Sequence, residues 1–400
     1  MQGLSIRKAL LGFMAVLVPV ILVGSASGQG GLVIRDLNGP RGLSQDGSVM
    51  LIAEQGTGSI HQVTCLGTVS TVAKGLPTST FLEDGVPVAT GPTSAINVGG
   101  TIFATVGEAP GEAGFDAVYS MKPGQAPVLF ADLLAYEQAN NVDGNVDMAG
   151  EPEHLVNAYD LVHDNAGGVY VSASGGNAVL QVAADGTISP FAILPNQENP
   201  LFPSVGGPTI QPVPTGLEWG PDGGLYVTTL TGFPFPEGAA RVYRMADANA
   251  DGDALDSGET TIYAEGLTTA TNLAFEADGS LLVTEFRGFL REDTPGRLVR
   301  VKDGSISEVV AEPLVSPTGV TVFCDEIIVT QEFLGIVAEA ATGAEITASL
   351  PPPSEGGEIS PPNTGDAGLA GTSSSSTAMI IAALVAASLL GGGLLARSRA

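Results

Sequence analysis

Six carboxylate or amide side chains fall within thirteen residues: Asp247, Asn249, Asp251, Asp253, Asp256 and Glu259. Hard cations take several oxygen ligands, and alternate residues with a glycine at the sharp bend make the front half of a calcium loop. Gly252 stands at that bend, while the twelfth position is Gly258, with Asp256 and Glu259 near it. Closure through Glu259 therefore requires a loop one residue longer than the standard one. The expectation is a structural calcium site, with a solvated acidic turn as the alternative. Asn141, Asp143, Asn145 and Asp147 also alternate, but Pro152 fills their twelfth position and a polar loop is the simpler reading.

Other candidates are scattered along the chain. Glu54 and Glu285 end equivalent strands of a repeat, with Gln331 and Thr229 at the matching places; Asn157, Asp160 and Asn272 stand at or near the starts of other strands. If such side chains converged they would suit a ligand, or a metal polarising an ester carbonyl; otherwise they are polar strand ends facing a wet channel. HExxH, GxSxG, a phosphate-binding loop and a dinucleotide-binding GxGxxG between strand and helix are all absent. Cys65 and Cys324 are the only cysteines. An exported chain permits their pairing, although the third-strand end and first turn they occupy lie at different radii.

The elements that must position these groups are written as a repeat. Gly216–Leu230, Asn272–Phe286 and Gly42–Gly56 each read as an apolar strand, a tight turn and an alternating second strand. Looser copies begin at Ile96, Leu161 and Val320, and third strands follow, such as Arg241–Met245 and Arg297–Val301. Four strands in a period of roughly 40–50 residues are the signature of a propeller blade. The fold expected is an all-β, six-bladed β-propeller over residues 29–350. Leu32–Leu37 matches a fourth strand and is expected to pair into the last blade and close the ring. The long inserts 75–92, 132–156, 196–213, 230–239 and 286–295 all emerge on one face, the natural place for binding. Six-bladed propellers of the lactonase and paraoxonase type hold a catalytic metal near the axis with Asn, Asp and Glu, the class to which the scattered candidates would belong.

Composition and the chain ends supply an address. The chain has 43 acidic and 15 basic residues, a formal charge of -28 that repels phosphate backbones and argues against nucleic acid as a partner. Residues 1–28 have a basic start, an apolar run and small residues, the pattern of a secretory signal peptide. Residues 351–377 form a Pro/Ser/Gly-rich stalk, and 378–396 an uncharged apolar stretch of transmembrane length. Arg397 and Arg399 in the tail 397–400 place the C-terminus in the cytoplasm. Pro361–Gly365 resembles a cell-wall sorting signal, with proline where that pattern has leucine.

Thr215–Met245 is similar to the most recognisable segment of the ScyD/ScyE family, and Ala131–Gly144 with Asn157–Val162 to its insert and following blade. The likeness spans roughly residues 32–340. Thr229 departs from it by replacing a common acidic residue. The resemblance implies an exported β-propeller and brings no established reaction. The reading that follows is a surface-displayed, membrane-anchored binding or interaction module with an unknown surface ligand or protein as partner. A metal-dependent lactonase or esterase is the alternative.

Overall fold

The computed structural model describes residues 32–83, 86–107, 109, 112–146, 150–287 and 294–340. The signal peptide, stalk, apolar segment and tail read from the sequence lie outside them, as does Asp147. Among the described residues no helix is long and apolar enough to cross a membrane.

Six four-stranded antiparallel sheets stand in a ring. Their first strands are Pro40–Asp46, Pro92–Val98, Ala158–His163, Pro214–Trp219, Ala270–Phe275 and Pro317–Phe323, numbered here as blades 1 to 6. Each touches the first strands of both neighbouring blades, the last touching the first. Second strands end at Glu54, Val106, Ala173, Thr229, Glu285 and Gln331. Blade 6 takes its outermost strand from the other end of the chain: Val33 pairs with Ala338 and Ile34 with Val337. The pairing is shorter than the expected Leu32–Leu37, and amide bonds from Leu37 to Gly335 and from Glu339 to Leu32 extend it. Apolar residues of adjacent sheets interleave into seams, so the core is a wheel of inter-blade layers.

Hydroxyls at the second position of the first strands stitch the blades together. Thr93 Oγ1 donates to Ala158 O (2.8 Å), Thr215 Oγ1 to Ala270 O (3.0 Å) and Thr271 Oγ1 to Pro317 O (2.8 Å). Tyr159 fills this position in blade 3, and there Ser174 Oγ reaches Pro214 O instead, at 2.5 Å. In blades 1, 4 and 6 the next residue is Gly42, Gly216 or Gly319, because there the first strands approach closely. A Cβ on Gly216 would lie 2.6 Å from Asn272 Cα, and one on Gly42 2.5 Å from Thr93 O.

Fourth-to-first and second-to-third connections share one face, the loop-rich face. It carries the helix Leu133–Asn140, capped by Asp132 Oδ1 on Ala135 N (2.9 Å). It also carries the hairpins Ser79–Glu83 with Val86–Thr90 and Gln197–Glu198 with Thr209–Ile210. The opposite, short-turn face holds the remaining turns and the 246–259 connection.

Candidate functional site

Two of the predicted ligand residues meet. Asn272 Nδ2 donates to Asp160 Oδ2 at 3.0 Å, across the space that Gly216 leaves open. Asp160 also accepts from Leu161 N (2.9 Å) and Leu217 N (3.0 Å), and Asn272 Oδ1 accepts from Val320 N (3.2 Å). One polar chain thus links blades 3, 4, 5 and 6 around the axis. Burial pushes the Asp160 carboxyl up to about 6, against the pull of those hydrogen bonds. Glu218, further along the blade 4 first strand, is pushed up to about 8 by burial and by the Asp160 charge.

Glu54 and Glu285 turn away from this network, each into its own blade. Glu54 accepts from Asn38 N (2.7 Å) and from Thr57 Oγ1, and its Oε2 lies 2.7 Å from His61 Nε2. Burial acts to raise its pKa, but these hydrogen bonds outweigh it and hold the group below the usual carboxylate range. Glu285 accepts from Thr268 N (2.7 Å) and pairs with Arg297. Gln331 Oε1 repeats the first of these contacts, accepting from Val315 N at 2.8 Å. These residues pin the incoming loop of each blade to its second strand. Asn157, at φ 45°, gives its carbonyl to Ser174 N (3.2 Å). Its amide and that of Ala158 bond the carboxylate of Asp116, a buried group that burial pushes up to about 7. Of these ligand candidates Asp160 and Asn272 meet, while Glu54 and Glu285 bond His61 and Arg297 within their own blades and Asn157 bonds its own blade and Asp116 of blade 2.

The centre of the loop-rich face is built from residues that single-chain reading passed over. Only Arg41 and Tyr159 break the threonine pattern at the second position, and they meet, with the guanidinium 4.4 Å from the ring centroid. Arg41 Nη1 donates to Gln55 Oε1 (3.4 Å), and Gln55 Nε2 donates to Glu332 Oε1 (2.8 Å). Burial raises the Glu332 carboxyl although Arg41 acts against it, and burial pushes the Tyr159 phenol up to about 12. Gln55 and Glu332 occupy equivalent places, each opening a 3₁₀ turn after the second strand. A strict alignment of the six repeats carries this signal, since Arg41 and Tyr159 are its two exceptions.

Tyr159 also joins an apolar cluster with Val213, Leu230, Phe235 and Phe286, all buried. Exposed rings continue it outward. Phe233 meets Phe235 edge-on with centroids 6.2 Å apart, and Phe333 meets Phe286 in the same way at 6.2 Å. The 201–206 loop joins on through Gly206, whose Cβ would lie 3.2 Å from Pro234 Cδ.

On the short-turn face, the 247–259 loop is held by its own groups. Asp247 accepts from Asp251 N (3.2 Å) and Gly252 N (3.0 Å), and Asp253 accepts from Leu255 N (2.9 Å). Asn249 Nδ2 lies between Asp251 Oδ2 (2.9 Å) and Asp256 Oδ2 (2.8 Å). Glu259 is turned inward onto Ala248 N (2.9 Å) and Asp256 N (3.2 Å). Among the described residues no three His, Cys, Asp or Glu side chains gather as a metal set. Cys65 and Cys324 are joined, with Cα atoms 5.7 Å apart, fastening blade 1 to blade 6.

The profile of a domain of unknown function, DUF7133, matches residues 205–299, overlapping the segment that resembles the ScyD/ScyE family. No curated protein matches the chain. Solved structures that resemble it include a streptogramin B lyase, at 13% identity over 76% of this chain and 93% of that one, TM-score 0.46. A putative gluconolactonase shares 14% over 79% and 94%, TM-score 0.46. Regucalcin from Agrobacterium tumefaciens, a calcium-binding protein, shares 11% over 76% and 90%, TM-score 0.47. Their activities are stated of those proteins alone.

Proposed function

We propose that the chain is an exported, membrane-anchored propeller of the ScyD/ScyE type that acts as a binding or interaction module through its loop-rich face. The observation that carries this reading is the placement of exposed aromatic surface. Phe202, Phe233 and Phe333 are 52%, 45% and 52% exposed, and all three stand in connections of that face. Exposed rings on a rigid, closed scaffold are typical of surfaces that receive a partner. The hydrolase reading draws less support, because Glu54 and Glu285 are bound into their own blades.

Photo-crosslinking residues placed at Phe233 and Phe333 in the full-length protein on intact cells test the reading. Leu66 and Leu255, exposed on the short-turn face, serve as controls. Adducts from the two phenylalanine positions are the expected outcome; adducts only from the control positions would overturn it.

A structural calcium ion in the 247–259 loop belongs to the same proposal, supported by its alternating oxygens. Ion entry would require the Asn249 amide to turn its oxygen toward Asp251 and Asp256. Calorimetric titration of the wild type against Asp251→Ala decides: binding lost in the variant supports the site, and identical traces end it.

A further inference from the structure

The binding role proposed for the loop-rich face leaves open what kind of surface it receives, and the face itself restricts the answer. Its apolar part is continuous: Phe233, Phe235, Phe286 and Phe333 run from the blade 4 insert to the blade 6 turn through ring contacts and a shared cluster. Leu201, Phe202 and Val205 are exposed in the loop that adjoins Pro234.

Charge around it is predominantly acidic. Among the described residues, the connections of this face expose the acids Asp36, Glu112, Glu151, Glu198 and Glu237. Among the described residues arginine appears in them as Arg35, beside Asp36, and as Arg287, which is paired with Glu312 at 3.0 Å, and Lys74 is exposed where the blade 1 fourth strand ends. Arg241 and Arg297, at the starts of neighbouring third strands, are paired with Glu265 and Glu285. A second copy of this chain would bring the same acids against themselves, and an anionic lipid or nucleic-acid surface would be repelled likewise. A cationic polypeptide gains from both features, since its basic groups meet the acidic surround while its apolar side chains cover the aromatic strip.

We infer that the loop-rich face docks a basic polypeptide segment carrying apolar side chains, seated on the strip from Phe202 and Phe233 to Phe333; this rests on the binding role proposed above.

The test uses the full chain in nanodiscs of zwitterionic lipid, with empty nanodiscs as blank. Three labelled 18-residue peptides are followed by fluorescence anisotropy, one of alternating lysine and leucine, one of lysine and serine, one of glutamate and leucine. The lysine–leucine peptide is expected to bind at least tenfold more tightly than either other. Its affinity should fall at least tenfold from 50 to 500 mM salt, and at least tenfold in the triple variant Phe202→Ser, Phe233→Ser, Phe333→Ser. Leu66→Ser with Leu255→Ser, a pair on the opposite face, should leave it unchanged. Equal binding of the lysine–serine peptide, or an unaffected triple variant, would reduce the effect to bulk charge and overturn the inference. Equal or tighter binding of glutamate–leucine would overturn the basic character alone. Absence of all binding overturns the inference too, and the cell crosslinking above then reports separately on whether the face binds anything.

Discussion

Burial without a counter-cation raises the carboxyls of Asp160 and Glu218. Asp160 is ordinarily a group of pKa 3.8 and stands at about 6 in the fold. Between those values the folded protein keeps a proton that the unfolded chain has released, so stability falls as pH rises through the window. Above it the loss is constant, on the order of 3 kcal/mol. Asp160→Asn removes this titration while retaining an acceptor for Leu217 N. Urea midpoints from pH 4 to 7 should show the variant gaining on the wild type by that amount; a pH-independent difference would mean that Asp160 is not shifted. Glu54 behaves oppositely, because its contacts favour the charged form. Glu54→Ala leaves Asn38 N, Thr57 and His61 without their acceptor and should cost about 2–4 kcal/mol. Retention of wild-type stability would free Glu54 for a ligand role.

At the scale of the strand, the first-strand threonines and glycines explain why six unequal repeats close into one ring. Thr271 Oγ1 bonds both Pro317 O and Thr284 Oγ1. Thr271→Val should therefore lower stability by about 1–2 kcal/mol, read from the urea midpoint. Gly216→Ala places a methyl group against Asn272 and should lose more, since backbone must move; a wild-type midpoint in either variant would remove these contacts from the account of closure. The strands themselves were legible in the sequence, because alternation and Asp-Gly turns are local signals. The Asp160–Asn272 contact was not, since 112 residues separate them. Glu54 and Glu285 looked equivalent in sequence and are so in the fold. Their partners, His61 and Arg297, lie on third strands whose facing side chains the repeat does not reveal. Arg41 and Tyr159 were hidden because each reads alone as an ordinary strand residue.

For the molecule as a whole, the two ends of the described chain meet at the seam between blades 6 and 1. The chain enters as the fourth strand of blade 6 and leaves the described residues after its third strand, so both ends depart from the short-turn face. Val33 and Ile34 pair within blade 6 and lead directly into the first strand of blade 1, and the Cys65–Cys324 bond spans the seam itself. The bond closes 259 residues, and loss of such a cross-link costs about 2–5 kcal/mol. The strand and the bond each hold blade 6 against blade 1, so removing either leaves the other in place. Deletion of residues 29–38, or Cys65→Ser with Cys324→Ser, should each lower the melting temperature while unfolding stays a single step. Combined, they should let blades 6 and 1 part before the rest. Trp219, the one tryptophan, sits in blade 4 on the far side of the ring and reports on a region that this opening leaves intact. In the combined variant the far-ultraviolet dichroism should therefore change at lower temperature than Trp219 fluorescence. Coincident transitions there would show that the seam is no weaker than the other five.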